Sequence, residues 1–92
     1  MNKIYKYELQ IKDSQSFQIN SDYKILSVAE QNGKLCMWVL VNLNNPITWM
    51  NIEIIGTGNQ IDEQLMQHNK FIGSVVMHNG FVWHVFDNLA PF

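Results

Sequence analysis

From Lys3 to Ile11 the chain alternates without a break. Tyr5, Tyr7, Leu9 and Ile11 fall on one side, and Lys6, Glu8 and Gln10 on the other. A period of two marks a strand with one buried face. Ser16 to Ile19 alternates again, with Phe17 and Ile19 on the apolar side, and Lys12-Asp13-Ser14 between the two runs suits a turn. Together they predict a first hairpin. Asn20-Ser21-Asp22 turns the chain once more, and then the pattern changes. Tyr23–Glu30 and Leu35–Asn42 are apolar on both sides, with Gln31-Asn32-Gly33-Lys34 between them. Asn-Gly suits a two-residue type I′ turn, which requires positive φ at both central residues. Counting back from that turn sets Val28 against Met37 and Leu26 against Val39. On the other side it sets Ile25 against Leu40, Ser27 against Trp38 and Ala29 against Cys36. Ser27 and Ala29 are small enough to leave room for Trp38 and Cys36, so Trp38 is expected to be buried. A hairpin apolar on both faces is expected in the middle of a sheet.

Pro46 stops the fourth strand, because it has no N–H for the ladder. Thr48–Ile55 resumes the alternation, with Met50, Ile52 and Ile54 on one face and Trp49, Asn51 and Glu53 on the other; Gly56-Thr57-Gly58 ends it. Asn59 to Asn69 is polar and unpatterned, and reads as a loop with a helical turn at most, pinned by Leu65 and Met66. From Lys70 to Asp87 two apolar runs flank His78-Asn79-Gly80, with no charge between Phe71 and Phe86. A second two-residue Asn-Gly turn predicts Val76 opposite Trp83 and Val75 opposite His84. Asn88 to Phe92 reads as a tail, with Pro91 blocking further pairing. The sum is one domain over residues 1–92, all-β: a small antiparallel β-sandwich or open barrel of about seven strands, built from hairpins.

Composition narrows the possible partners. Only 15% of the 92 residues are charged and 47% are hydrophobic, against a usual charged share of about 25%. So sparse a charge predicts a surface covered by a partner or by another copy of the chain. There is no arginine, and the net charge is −2; a basic patch for nucleic acid is not expected. The start at Met1 lacks an apolar signal segment, and the longest apolar run, Leu35–Val41, is too short to cross a membrane. A cytoplasmic protein is the expectation.

Little in the sequence points to catalysis. Cys36 is the one cysteine and lies mid-strand between Leu35 and Met37, with no cation beside it to form a thiolate. His68, His78 and His84 match no zinc-ligand spacing, and no two carboxylates are spaced for acid–base work. Neither an enzyme nor a metal or other cofactor is expected. Gly56-Thr57-Gly58 is different. Glycines let backbone N–H groups approach an anion, although a strand end alone also explains them. The long polar loop that follows ends near His68 and Lys70. The candidate ligand-binding set is therefore Gly56, Thr57, Gly58, Asn59, His68 and Lys70, with Trp49 as a stacking surface.

Ile4-Tyr5-Lys6-Tyr7, Gly33-Lys34-Leu35-Cys36-Met37-Trp38, Gly56-Thr57-Gly58, Phe71-Ile72-Gly73-Ser74-Val75 and Val82-Trp83-His84-Val85-Phe86 run nearly the length of the chain. In this set the chain resembles a family of short uncharacterised proteins encoded by bacteriophages and prophages. The resemblance implies phage origin and a small accessory role, and it brings no catalytic residue to carry over. The expectation is a non-catalytic counter-defence protein in the host cytoplasm: an oligomeric sponge for a nucleotide-type immune signal. The alternatives are a direct protein inhibitor of a host defence enzyme and a virion structural or assembly accessory.

Overall fold

A computed structural model describes residues 1–89, apart from the Leu65 side chain. Seven strands and one short helix follow in the order β1 (Asn2–Leu9), β2 (Ser14–Asn20), β3 (Lys24–Gln31), β4 (Lys34–Asn42), β5 (Ile47–Gly56), α1 (Glu63–His68), β6 (Asn69–Val76) and β7 (Val82–Asn88). They form two antiparallel sheets, β1-β4-β3 and β2-β5-β7-β6. The fold is a small all-β sandwich of seven strands. Its core is the inward set of each strand: Leu35, Met37, Val39 and Val41 from β4 meet Met50, Ile52, Ile54 and Val85 from β5 and β7.

The first two strands do not form a hairpin. β1 pairs with β4, and β2 pairs with β5 in the other sheet. The chain changes sheets at Gln10–Asp13, and the Gln15 side chain closes the corner. Its amide accepts from the Gln10 N–H at 3.0 Å and donates to the Gln10 carbonyl at 2.8 Å. An amide can satisfy a backbone donor and acceptor at once, so no partner strand is needed there. Across the gap, Tyr7 and Phe17 face each other with ring centroids 4.8 Å apart. β1 ends at Leu9, so Ile11 is left exposed, and Tyr5 is partly exposed as well.

The β3–β4 turn is as the sequence predicts. Asn32 and Gly33 have φ of 54° and 79°, and Gln31 pairs with Lys34. Ser27, Val28 and Ala29 lie opposite Trp38, Met37 and Cys36. Beyond Ser27 the register slips, because Leu26 is bulged out and Ile25, not Leu26, meets Val39. The hairpin is also not central as a pair. β4 is the middle strand, but β3 is an edge. Trp38 is only half-buried, on the outer face of its sheet. On that same face Cys36 is 2% exposed, beneath the diagonals from Lys6 to Gln31 and from Glu8 to Lys34.

The β6–β7 turn departs from expectation. Val76 pairs with Val82 and Val75 with Trp83, one residue off the two-residue register. Met77 and Phe81 close a three-residue loop, and only Gly80 in it has positive φ, at 91°. Long-range contact explains the difference. The Glu30 carboxylate, at the end of β3, accepts from the His78 backbone N–H at 2.8 Å and lies 3.0 Å from its Nδ1. Those two contacts draw the Glu30 pKa below its usual value, against a smaller rise from burial. The loop is therefore held in the shape that brings His78 to the other sheet. β7 then runs on through Asn88, so the tail begins later than the sequence suggests, and Pro91 lies outside the described residues. α1 is the expected short helix, capped by Asp62, which accepts from the Gln64 N–H. Met66 is exposed rather than pinned, and the Leu65 side chain lies outside the described residues.

Candidate functional site

β5 ends at Gly56, which pairs with Trp83 of β7. Here the missing side chain matters. A Cβ on Gly56 would come within 3.0 Å of the Asn59 Nδ2 and 3.1 Å of the Trp83 ring. Glycine thus lets the indole and the Asn59 amide lie directly on the strand end. The Asn59 N–H donates to the Gly56 carbonyl at 3.1 Å, and Gly58 takes φ of 88° in that turn. Gly56 is there for close approach, and Gly58 for the turn itself.

The result is a concavity of about 430 Å³, lined by Gly56, Thr57, Asn59, Gly80, Phe81, Val82 and Trp83. That size lies within the usual range of small-molecule clefts, about 300–1,000 Å³. Phe81 is 62% exposed, and its ring lies 6.0 Å from that of Trp83 at 48°. The two rings form an angled apolar wall. Thr57 and the Asn59 amide, which lies beside the Trp83 ring over Gly56, complete the lining.

His84 adjoins this wall from the outer face. Its Nε2 lies 2.9 Å from the Thr57 Oγ1, and its Nδ1 lies 2.6 Å from the Ser74 Oγ. A neutral imidazole donates through one nitrogen and accepts through the other. Ser74, His84 and Thr57 therefore make a polarised relay across β6, β7 and the end of β5. The relay fixes the Thr57 rotamer at the rim.

The other residues singled out from the sequence lie elsewhere. Lys70 pairs with Asp87, while Gly56 pairs with Trp83, four residues further back along β7; at the usual strand rise that is roughly 13 Å. His68 ends α1, and its carbonyl accepts from the Leu89 N–H at 2.8 Å. Trp49 lies opposite Gln18, seven residues before Gly56 on β5, and is 57% exposed. No lysine or histidine lines the concavity among the described residues. Sequence reasoning passed over Phe81, Ser74 and the part played by His84. The Gly56–Trp83 register that gathers them is long-range and leaves no local mark.

Two carboxyls are buried away from the concavity. Burial pushes Glu53 up, opposed by the Asn88 amide, with Asp13 adding to the rise. Asp87 is also pushed up by burial, while the Tyr23 hydroxyl and the Lys70 charge hold it back. Tyr23 itself is raised far above the usual phenol range by burial and by Asp87. Among the described residues no group of three or more His, Cys, Asp or Glu side chains is placed to hold a metal ion, and no helix is long and apolar enough to cross a membrane.

The sequence model of a family described as Domain of unknown function (DUF7352) matches residues 1–91. The chain belongs to this family. The DUF7352 match takes in both sheets and every residue of the Gly56–Trp83 concavity. No curated protein and no solved structure matches the chain.

Proposed function

We propose that the chain is a non-catalytic binding protein whose ligand sits in the Gly56–Trp83 concavity. Its role, on this reading, is counter-defence in the cytoplasm of a phage-infected cell: it sequesters a nucleotide-type immune signal and self-associates to do so. One observation carries the reading. Gly56, Thr57 and Asn59 line a single concavity with two aromatic rings, Phe81 and Trp83. Stacking on such rings is worth about 1–3 kcal/mol per base and accepts any base. Thr57 and Asn59 offer hydrogen bonds at the edge. With no cation in the lining, the concavity holds the ring of the ligand, and its phosphates face outward, toward solvent or a second subunit.

The test is native mass spectrometry of the protein purified from cells with an active defence, beside Thr57→Arg purified in the same way. The expected result is a bound small molecule with the parent protein. Thr57→Arg loses it, with Tm within a few degrees of the parent, since Thr57 is exposed. Retention of the molecule by Thr57→Arg sinks this site. The second reading is a direct protein inhibitor, favoured by the exposed Ile47, Trp49, Phe71 and Val76 on the four-stranded sheet. A pull-down that returns one host protein and no small molecule supports it over the first.

A further inference from the structure

The edges β3 and β6 run side by side, one from each sheet. At one end they are stitched together. Gly73 lets Val28 in so closely that a Cβ there would meet the Val28 Cγ2 at 2.9 Å, and Glu30 holds His78. At the other end they part, and there both strands bulge, β3 at Leu26 and β6 at Ile72. Bulges re-aim side chains and end pairing, and they are frequent beside functional sites. Between them opens a cleft of about 220 Å³, lined by both bulges and by Tyr23, Lys24, Lys70, Phe71 and Asp87.

Asp87 is 4% exposed. Its Oδ2 accepts from the Tyr23 hydroxyl at 2.7 Å. Its Oδ1 is buried, and among the described residues nothing hydrogen-bonds to it. A buried carboxylate oxygen without a donor is left short of the hydrogen bonds that water would give it, so a ligand that brings an N–H gains strongly here. Lys24 and Lys70 are exposed at the mouth. Two ammonium groups against one carboxylate select an anionic ligand.

We propose that this cleft is a second binding site, for a mononucleotide whose base turns N–H donors toward Asp87 Oδ1 and whose phosphate meets Lys24 and Lys70. Guanine suits it best. Its Watson–Crick edge carries two adjacent donors, whereas adenine sets a ring lone pair beside its amino group, facing the carboxylate. The cleft is smaller than those that enclose drug-sized ligands, about 300–1,000 Å³, so it takes one base and leaves the phosphate at the rim. The site is separate from the Gly56–Trp83 concavity and does not depend on that reading.

Calorimetric titration of the full chain with GMP, AMP, guanosine and inorganic phosphate tests it. GMP is expected to bind at least ten-fold more tightly than each of the other three. Lys70→Ala should weaken GMP about ten-fold and leave guanosine unchanged. Asp87→Asn, which keeps the shape and replaces an acceptor with an amide, should abolish the preference for GMP over AMP. Leu26→Trp, which fills the cleft from an exposed bulge, should block all binding, and Thr57→Arg should change nothing. No binding of GMP, phosphate binding as tightly as GMP, or GMP binding unchanged by Leu26→Trp each overturns the proposal.

Discussion

Met37 and Trp38 are adjacent on β4 and lead opposite lives. Met37 points between the sheets with 0% exposure, while Trp38 lies half-buried on the outer face. The larger residue is expected to matter less for stability. Met37→Ala should cost about 2–5 kcal/mol, the range for a buried large side chain replaced by alanine. Trp38→Ala should cost about 1 kcal/mol, because a half-buried side chain gives up only part of the roughly 1.5–3 kcal/mol of full burial. Urea unfolding of the two variants decides it. If Trp38→Ala is the more damaging, the outer face of the three-stranded sheet is covered in solution.

The two Asn-Gly turns have the same dipeptide and different geometry, and substitution should tell them apart. Asn32 holds φ of 54°, a conformation that asparagine tolerates and glycine adopts freely. Asn32→Gly should therefore leave stability within about 0.5 kcal/mol, the ordinary scatter of surface changes. Asn79 is not in the left-handed region, and its Oδ1 accepts from the Phe81 N–H at 3.0 Å. Asn79→Gly loses that bond and loosens the unfolded chain, so it should destabilise by about 1–2 kcal/mol. Thermal or urea unfolding of the pair is the measurement. Equal effects would mean that the loops share one geometry.

The whole molecule is thin. Its Cα atoms span 40 × 33 × 16 Å, so most outward side chains lie on the two broad faces. Ile4 and Leu26 are exposed on or beside the three-stranded face, and Ile47, Trp49, Phe71 and Val76 on the four-stranded one. With 15% charged residues, little polarity separates these apolar side chains. Bulges at Leu26 and Ile72 blunt the β3 and β6 edges, whereas the β1 and β2 pairings carry no register shift. Unblunted edges are the ones that invite another strand. Light scattering at micromolar concentration should report a dimer or larger. A monomer across that range would remove self-association from the proposed function.

The sequence by itself determined the strands, their faces and one turn. Alternation fixed Met50, Ile52 and Ile54 inward on β5, because a strand's period of two is local. Asn32-Gly33 fixed a type I′ turn, because four residues contain that geometry. Partnership was another matter. Alternation names the buried face of β1 and β2 but not the strand beside it, and the Gln15–Gln10 contact replaces the hairpin that proximity suggests. The β6–β7 register answers to Glu30, 48 residues away from His78. The candidate site divides in the same way. Gly56, Thr57 and Asn59 could be chosen from the strand end, but Phe81 and Trp83 join them only through the β5–β7 register, and Lys70 falls to the opposite end of the same sheet. Local patterns are set by φ, ψ and the hydrophobic period, which a short window contains. Which strands meet, and where they bulge, is settled by packing among residues far apart in the chain, so only the tertiary structure decided it.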